Sequence, residues 1–133
     1  MIQGGDPNSK DSDRSNDGSG SPGYTIPAEI DSAKFKHSYG AMGAARSGNA
    51  TNPLRASNGS QFYIVTDENG ESFLDGEYTV FGELVKGWDV AKSIEKKPKN
   101  ADGLPLDRIP MTVEVHQYTQ EVLDAMDIVI PKH

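Results

Sequence analysis

The chain has 133 residues, no cysteine and a formal net charge of −7. One domain of this size can bury a real core, and the lack of cysteine excludes a disulfide scaffold, a thiolate zinc site and a cysteine nucleophile. An acidic surface with no Lys/Arg run repels phosphate backbones, so a nucleic-acid partner is not expected.

Residues 1–5 run from apolar to Gly-Gly, as a strand entering a loop does. Residues 6–23 are almost wholly Asp, Asn, Ser, Gly and Pro, with Lys10 and Arg14, and read as a long solvated loop. A short strand is expected within 24–30. A second is expected within 38–46, a small apolar stretch with Met42 and three alanines. Residues 47–58 form another polar loop. The clearest strand is 60–66, where Gln61, Tyr63 and Val65 share one face and Phe62 and Ile64 the other. Another strand fits 78–84, with a turn at Gly87. Helical spacing over 88–94 puts Trp88, Ala91 and Ile94 on one side. Residues 111–118 alternate and read as a strand, 119–126 as a helical turn or two, and 128–130 as an extended tail. Short strands, long loops and little helix favour an all-β barrel or sandwich with accessory helices. No apolar run reaches membrane-spanning length, so no membrane partner is expected. Residues 1–10 lack the parts of a signal peptide, which slightly favours the cytoplasm; a targeting segment upstream of Met1 would reverse this.

Asp13, Ser15, Asp17 and Gly18 mimic the opening of a calcium loop, but Tyr24 stands where the closing glutamate should be. A solvated loop is the better reading. His37, His116 and His133 are far apart in sequence, without carboxylates at ligand spacing, so no metal site is expected. Two glycosylation sequons, Asn49-Ala50-Thr51 and Asn58-Gly59-Ser60, matter only in a secretory compartment. No nucleophile elbow accompanies the Ser, His and Asp residues.

On pattern alone, Gln61 and Tyr63 on one face of 60–66 can line a peptide groove or belong to an ordinary half-exposed strand. Phe62 and Ile64 on the other face are expected in the core, so that Phe62→Ala is costly and Gln61→Ala nearly neutral. Three blocks in chain order resemble the cyclophilin-type peptidyl-prolyl cis-trans isomerases. They are Met1-Ile2-Gln3-Gly4-Gly5-Asp6, Asn58-Gly59-Ser60-Gln61-Phe62-Tyr63-Ile64, and Phe73-Leu74-Asp75-Gly76 with the stretch from Tyr78 to Gly82. Tyr24-Thr25-Ile26-Pro27-Ala28-Glu29 and Ala44-Ala45-Arg46-Ser47-Gly48 fit bacterial-style members. The likeness runs from Met1 to about Tyr118.

The resemblance implies a cyclophilin-like antiparallel β-barrel with accessory helices, over residues 1–118, followed by a tail at 119–133. It implies X-Pro isomerase activity without a cofactor, acting on proline-containing peptides and unfolded proteins. By the same resemblance, Gln3 binds the peptide backbone as the chain's catalytic-site residue. Met1, Tyr63 and Leu74 wall the proline pocket. Ala45, Arg46 and Ser47 supply the backbone segment that pairs with substrate, Gln61 is a second groove amide, and Phe73 and Tyr78 complete the groove. Tyr63 stands where phenylalanine is usual and brings an extra hydroxyl. Phe73 replaces a common tryptophan and Tyr78 a common histidine, which lowers the expected affinity for cyclosporin-like ligands. In the family a Phe-His-Arg segment precedes the block matched by Met1, and its arginine is the principal catalytic residue. The pocket phenylalanine just before the Met1 position, the first strands and the first helix also fall outside this sequence. The barrel is therefore expected to be incomplete and the activity of this chain impaired. The alternative is a catalytically silent module that binds proline-containing peptides.

Overall fold

The computed structural model describes residues 1–130. His133 and the end of the expected tail lie outside the described residues. The chain divides into two compact units, Met1–Leu84 and Val85–His133.

The first unit is built on antiparallel strands: β1 (Ile2–Gly4), β2 (Thr25–Ile26), β3 (Ala41–Ala44), β4 (Ser57–Asn58), β5 (Phe62–Ile64) and β6 (Val80–Glu83). Four form an open sheet in the order β1-β5-β3-β6, and β2 pairs with β4 in a two-stranded ribbon. These are the short, loop-rich, mostly β elements expected, each trimmed to the residues whose backbone finds a partner. Among the described residues the sheet does not close on itself. The register aligns Gln3, Tyr63 and Gly43 across three strands, and likewise Ile2, Ile64 and Met42. A bulge between Met42 and Gly43 shifts the pairing with β6.

The register also shows which face of β5 is buried, and here the expectation is corrected. Tyr63 and Val65 join Ala41 and Leu74 in the core, with Ala45, Tyr78 and Val80 packed against them. Gln61, on the same face, is 6% exposed. Phe62 and Ile64 are only half-buried, beside Ile2 and Met42 on the opposite face. Alternation tells which side chains share a face. It does not tell which face the following loops will cover, and the turn carrying Leu74 and the segment with Tyr78 cover the Tyr63 side.

The loop at 6–23 is more ordered than its composition suggests. Asp6 caps a 3-10 turn at Pro7–Lys10, its side chain accepting from the Asn8 N–H at 2.9 Å. Its other carboxylate oxygen accepts from the Gly18 N–H. Asp13 accepts from the Ser15 N–H and hydroxyl, and Asp17 pairs with Arg14 at 3.5 Å.

In the second unit, helix α1 spans Trp88–Glu95, with Ala91 buried and Trp88 and Ile94 half-buried as the spacing predicts. Helix α2 (Gln120–Ala125) is capped by Thr119, whose hydroxyl accepts from the Val122 N–H. Residues 111–118 are not the expected strand. They lack regular structure and are exposed throughout. Alternation favours a strand only where a partner offers the matching N–H and C=O groups, and no strand among the described residues does so.

Candidate active site

A cleft of about 390 Å³ lies on the buried face of the sheet. Met1, Gln3, Ala45, Arg46, Ser47, Gln61, Tyr63, Leu74 and Tyr78 all line it. The groove residues expected from sequence thus converge from residues 1–3 at β1, residues 61–63 at β5, residues 45–47 just after β3, and the 3-10 turn Ser72–Leu74 with Tyr78 beyond it. Phe73 is the exception. The turn at Ser72–Leu74 directs Leu74 inward, and Phe73 is 71% exposed and outside the cleft lining.

The two amides face each other. Gln3 Nε2 donates to Gln61 Oε1 at 2.9 Å. Gln61 Nε2 donates to Gly20 O at 2.7 Å and Gly18 O at 3.2 Å. Asn58 Nδ2 also donates to Gly20 O, at 2.9 Å. Gln61 therefore braces the loop from below while Gln3 stays exposed at the rim. This brings Gly18, Ser19 and Asn58 into the lining, which sequence reasoning missed. The Asp-Asn-Ser-Gly composition of the loop carried no sign of its docking.

Arg46 is held at each guanidinium nitrogen. Its Nε donates to Glu77 O at 2.9 Å, Nη1 to Ser47 O at 2.9 Å and Nη2 to Glu77 Oε2 at 3.2 Å. Its guanidinium carbon lies 4.4 Å from the centroid of the Tyr78 ring, a cation–π contact. Glu77 also holds Arg55 at 3.0 Å. The backbone of Ala45 is tied as well, its N–H donating to Gln61 O and its C=O accepting from Asn58 N–H.

The Tyr63 ring crosses the sheet over Gly43. A Cβ there would come within 2.3 Å of the ring and hydroxyl, so glycine is required by close approach. The hydroxyl reaches His37 Nε2 at 2.8 Å, and His37 Nδ1 lies 2.9 Å from Asp75 Oδ1. Burial above all, helped by Tyr78 and Asp75 and opposed by Arg46, pushes the Tyr63 phenol far above its ordinary range. For Asp75, burial works against ionisation. Hydrogen bonds from the His37 backbone and ring, with the charge of Lys36, outweigh it and hold the carboxyl below its usual range. Sequence reasoning considered His37 only as a metal ligand. The signal that could have found it is Tyr63 itself, because a buried phenol needs a hydrogen-bond partner.

A family model described as cyclophilin type peptidyl-prolyl cis-trans isomerase/CLD matches residues 1–115. Peptidyl-prolyl cis-trans isomerase B of Saccharomyces cerevisiae is 34% identical over 113 residues, which are 82% of this chain and 48% of the relative. The protein of the same name from Bacillus subtilis is 38% identical over 77 residues, 58% of this chain and 48% of the relative. The chain thus spans about half the length of these curated relatives. The crystal structure of a Cryptosporidium parvum cyclophilin type peptidyl-prolyl cis-trans isomerase superimposes with a TM-score of 0.62 at 30% identity, covering 80% of this chain and 60% of that one. Another, in the presence of the dipeptide Ala-Pro, gives the same TM-score at 29% identity, covering 80% of this chain and 61% of that one. The sheet and these matches agree: the chain belongs to the cyclophilin-type peptidyl-prolyl cis-trans isomerase family.

Proposed function

We propose that this chain supplies the peptide groove and proline pocket of an X-Pro isomerase. The observation that carries the proposal is the convergence of Gln3, Gln61, Met1, Tyr63 and Leu74 on one cleft. Rotation about an X-Pro bond makes and breaks no covalent bond, so it needs no nucleophile, metal or cofactor. It must cross a barrier of about 18–20 kcal/mol set by amide resonance. A site lowers that barrier by holding the twisted amide better than the planar one, and each ~1.36 kcal/mol of selective stabilisation is tenfold in rate. In this reading, Met1, Tyr63 and Leu74 hold the proline ring. Gln3 holds the backbone before it, and the Arg46 backbone with the Ser47 N–H pairs with the peptide, because the Ala45 N–H and C=O and the Ser47 C=O are already bonded within the protein. Residues 1–118 form the functional domain and 119–133 a tail.

The ligands are proline-containing peptides and unfolded proteins, in line with the relative crystallised in the presence of Ala-Pro. Cyclosporin-like ligands bind weakly, with Phe73 outside the cleft and Tyr78 occupied by Arg46.

One observation favours a second reading for the chain taken alone, a silent binding module. Each guanidinium nitrogen of Arg46 already serves a protein acceptor. Held at all three nitrogens and over the Tyr78 ring, Arg46 acts in this reading as a positioning residue and not as donor to the twisted amide. NMR titration with an Ala-Pro tetrapeptide should perturb Gln3, Gln61, Tyr63 and Leu74. A coupled-protease assay should find slow isomerisation by this chain and fast isomerisation by a version carrying an upstream Phe-His-Arg segment. If the titration leaves the cleft residues unmoved, the proposal fails. Full activity of the chain alone, free of host isomerase, would sink the silent-module reading.

A further inference from the structure

We propose that the hydrogen-bonded chain Asp75–His37–Tyr63 is a positioning device that fixes the gap between Tyr63 and Leu74 and so sets which ring the pocket accepts. This rests on the reading of the cleft as a proline pocket.

The chain of bonds sits behind the pocket wall, with His37 2% and Tyr63 3% exposed. Asp75 Oδ1 accepts from both the backbone N–H and the ring Nδ1–H of His37, at 2.8 and 2.9 Å. Lys36 Nζ lies 3.6 Å from the other carboxylate oxygen. An ionised carboxylate has no proton to give, so the Nδ1 proton belongs to His37. In the neutral imidazole Nε2 is then a bare acceptor, and the Tyr63 hydroxyl donates to it. The bonds run in one direction, Tyr63 to His37 to Asp75.

This tether joins two walls that are far apart in sequence. Tyr63 lies on β5. Asp75 follows Leu74 directly and caps its turn, the Asp75 N–H donating to Ser72 O at 3.1 Å. Holding Asp75 to His37 therefore holds Leu74 relative to Tyr63. The Tyr63 ring is fixed on its other sides as well. It meets Tyr78 edge-on at 6.0 Å and lies over Gly43. A phenylalanine would fill the same wall without the tether. His37 touches no substrate in this scheme. It acts through Tyr63 and Leu74 as a positioning residue.

The test uses the 133-residue chain, Tyr63→Phe, and the double variant Tyr63→Phe/His37→Leu. The double variant removes both ends of the Tyr63–His37 bond, so no buried imidazole nitrogen is left without its donor, while Asp75 keeps the backbone N–H of residue 37. Affinity is measured by NMR titration for an Ala-Pro tetrapeptide and for the same peptide with pipecolic acid, whose ring is one methylene larger. An extra methylene in a rigid pocket discriminates about 10- to 200-fold. The parent chain should prefer proline by about tenfold or more, and the preference should shrink several-fold in both variants. An unchanged ratio overturns the proposal. Binding of neither peptide by the parent chain would instead refute the proline-pocket reading. The positioning claim is then decided in the free protein: the ring at position 63 should flip slowly in the parent chain and fast in the double variant, and equal flip rates overturn it.

Discussion

β5 and residues 111–118 both read as strands, and they met different ends. β5 lies inside the sheet, paired with β1 on one side and β3 on the other. Residues 111–118 pair with no strand among the described residues, and Val115 is 90% exposed. Local pattern was equally good in both. The difference is the supply of backbone partners: β5 receives them from residues 2–4 and 41–44. Once paired, β5 could be covered by Leu74 and Tyr78 and line one side of the cleft. A strand pattern is a capacity, and pairing decides whether it is used.

The comparison is broken most severely at Tyr63. Tyr63→Ala should cost about 3–5 kcal/mol as a buried aromatic truncation. Phe62→Ala should cost less, within the ~1.5–3 kcal/mol of a fully buried side chain, because its face is half open. Urea unfolding of the two variants checks the order. Equal losses would mean that both faces of β5 are core.

Gln61→Ala should destabilise by about 1–3 kcal/mol, the cost of leaving buried partners unsatisfied. It removes the brace on Gly18 and Gly20, so amide exchange should quicken in the loop at 6–23 before it does in β3. A neutral substitution would show that the loop holds itself in place.

The acid limb of stability should report on Asp75. Its carboxyl is held below the ordinary range in the folded chain, so the unfolded chain takes up the proton first as pH falls. The associated stability is present above the unfolded pKa of about 3.9 and is lost as pH drops through the folded value. Asp75→Asn should flatten this part of the stability–pH curve. An unaltered slope below pH 4 would remove the link between Asp75 and His37 from the account.

The smallest effect is expected outside the sheet. Val115→Ala should change stability by no more than about 0.5 kcal/mol, as exposed substitutions usually do. A loss comparable to that at Phe62 would mean that residues 111–118 are paired in solution.

Much of the molecule was legible in its residues. Backbone period, turn glycines and caps are local, so β3, β5, β6 and α2 fell within the segments expected, and α1 ran one residue past its own. The blocks around Gln3, Gln61 and Leu74 identified the family before any contact was known. The helical turns expected at 119–126 formed as α2, with Thr119 as the N-cap that its hydroxyl chemistry favours. What alternation could not reveal was which face of β5 would be covered, that Gln61 would brace a loop some forty residues earlier, or that Phe73 would turn away from the cleft. Each depends on where a distant segment lands. The same holds for His37. By sequence it was an isolated histidine, and the fold placed it between a phenol and a carboxylate that lie 26 and 38 residues away. Hydrogen bonds of that reach carry no periodic signature, since they are set by the sum of all the packing around them and by the need of every buried polar group for a partner.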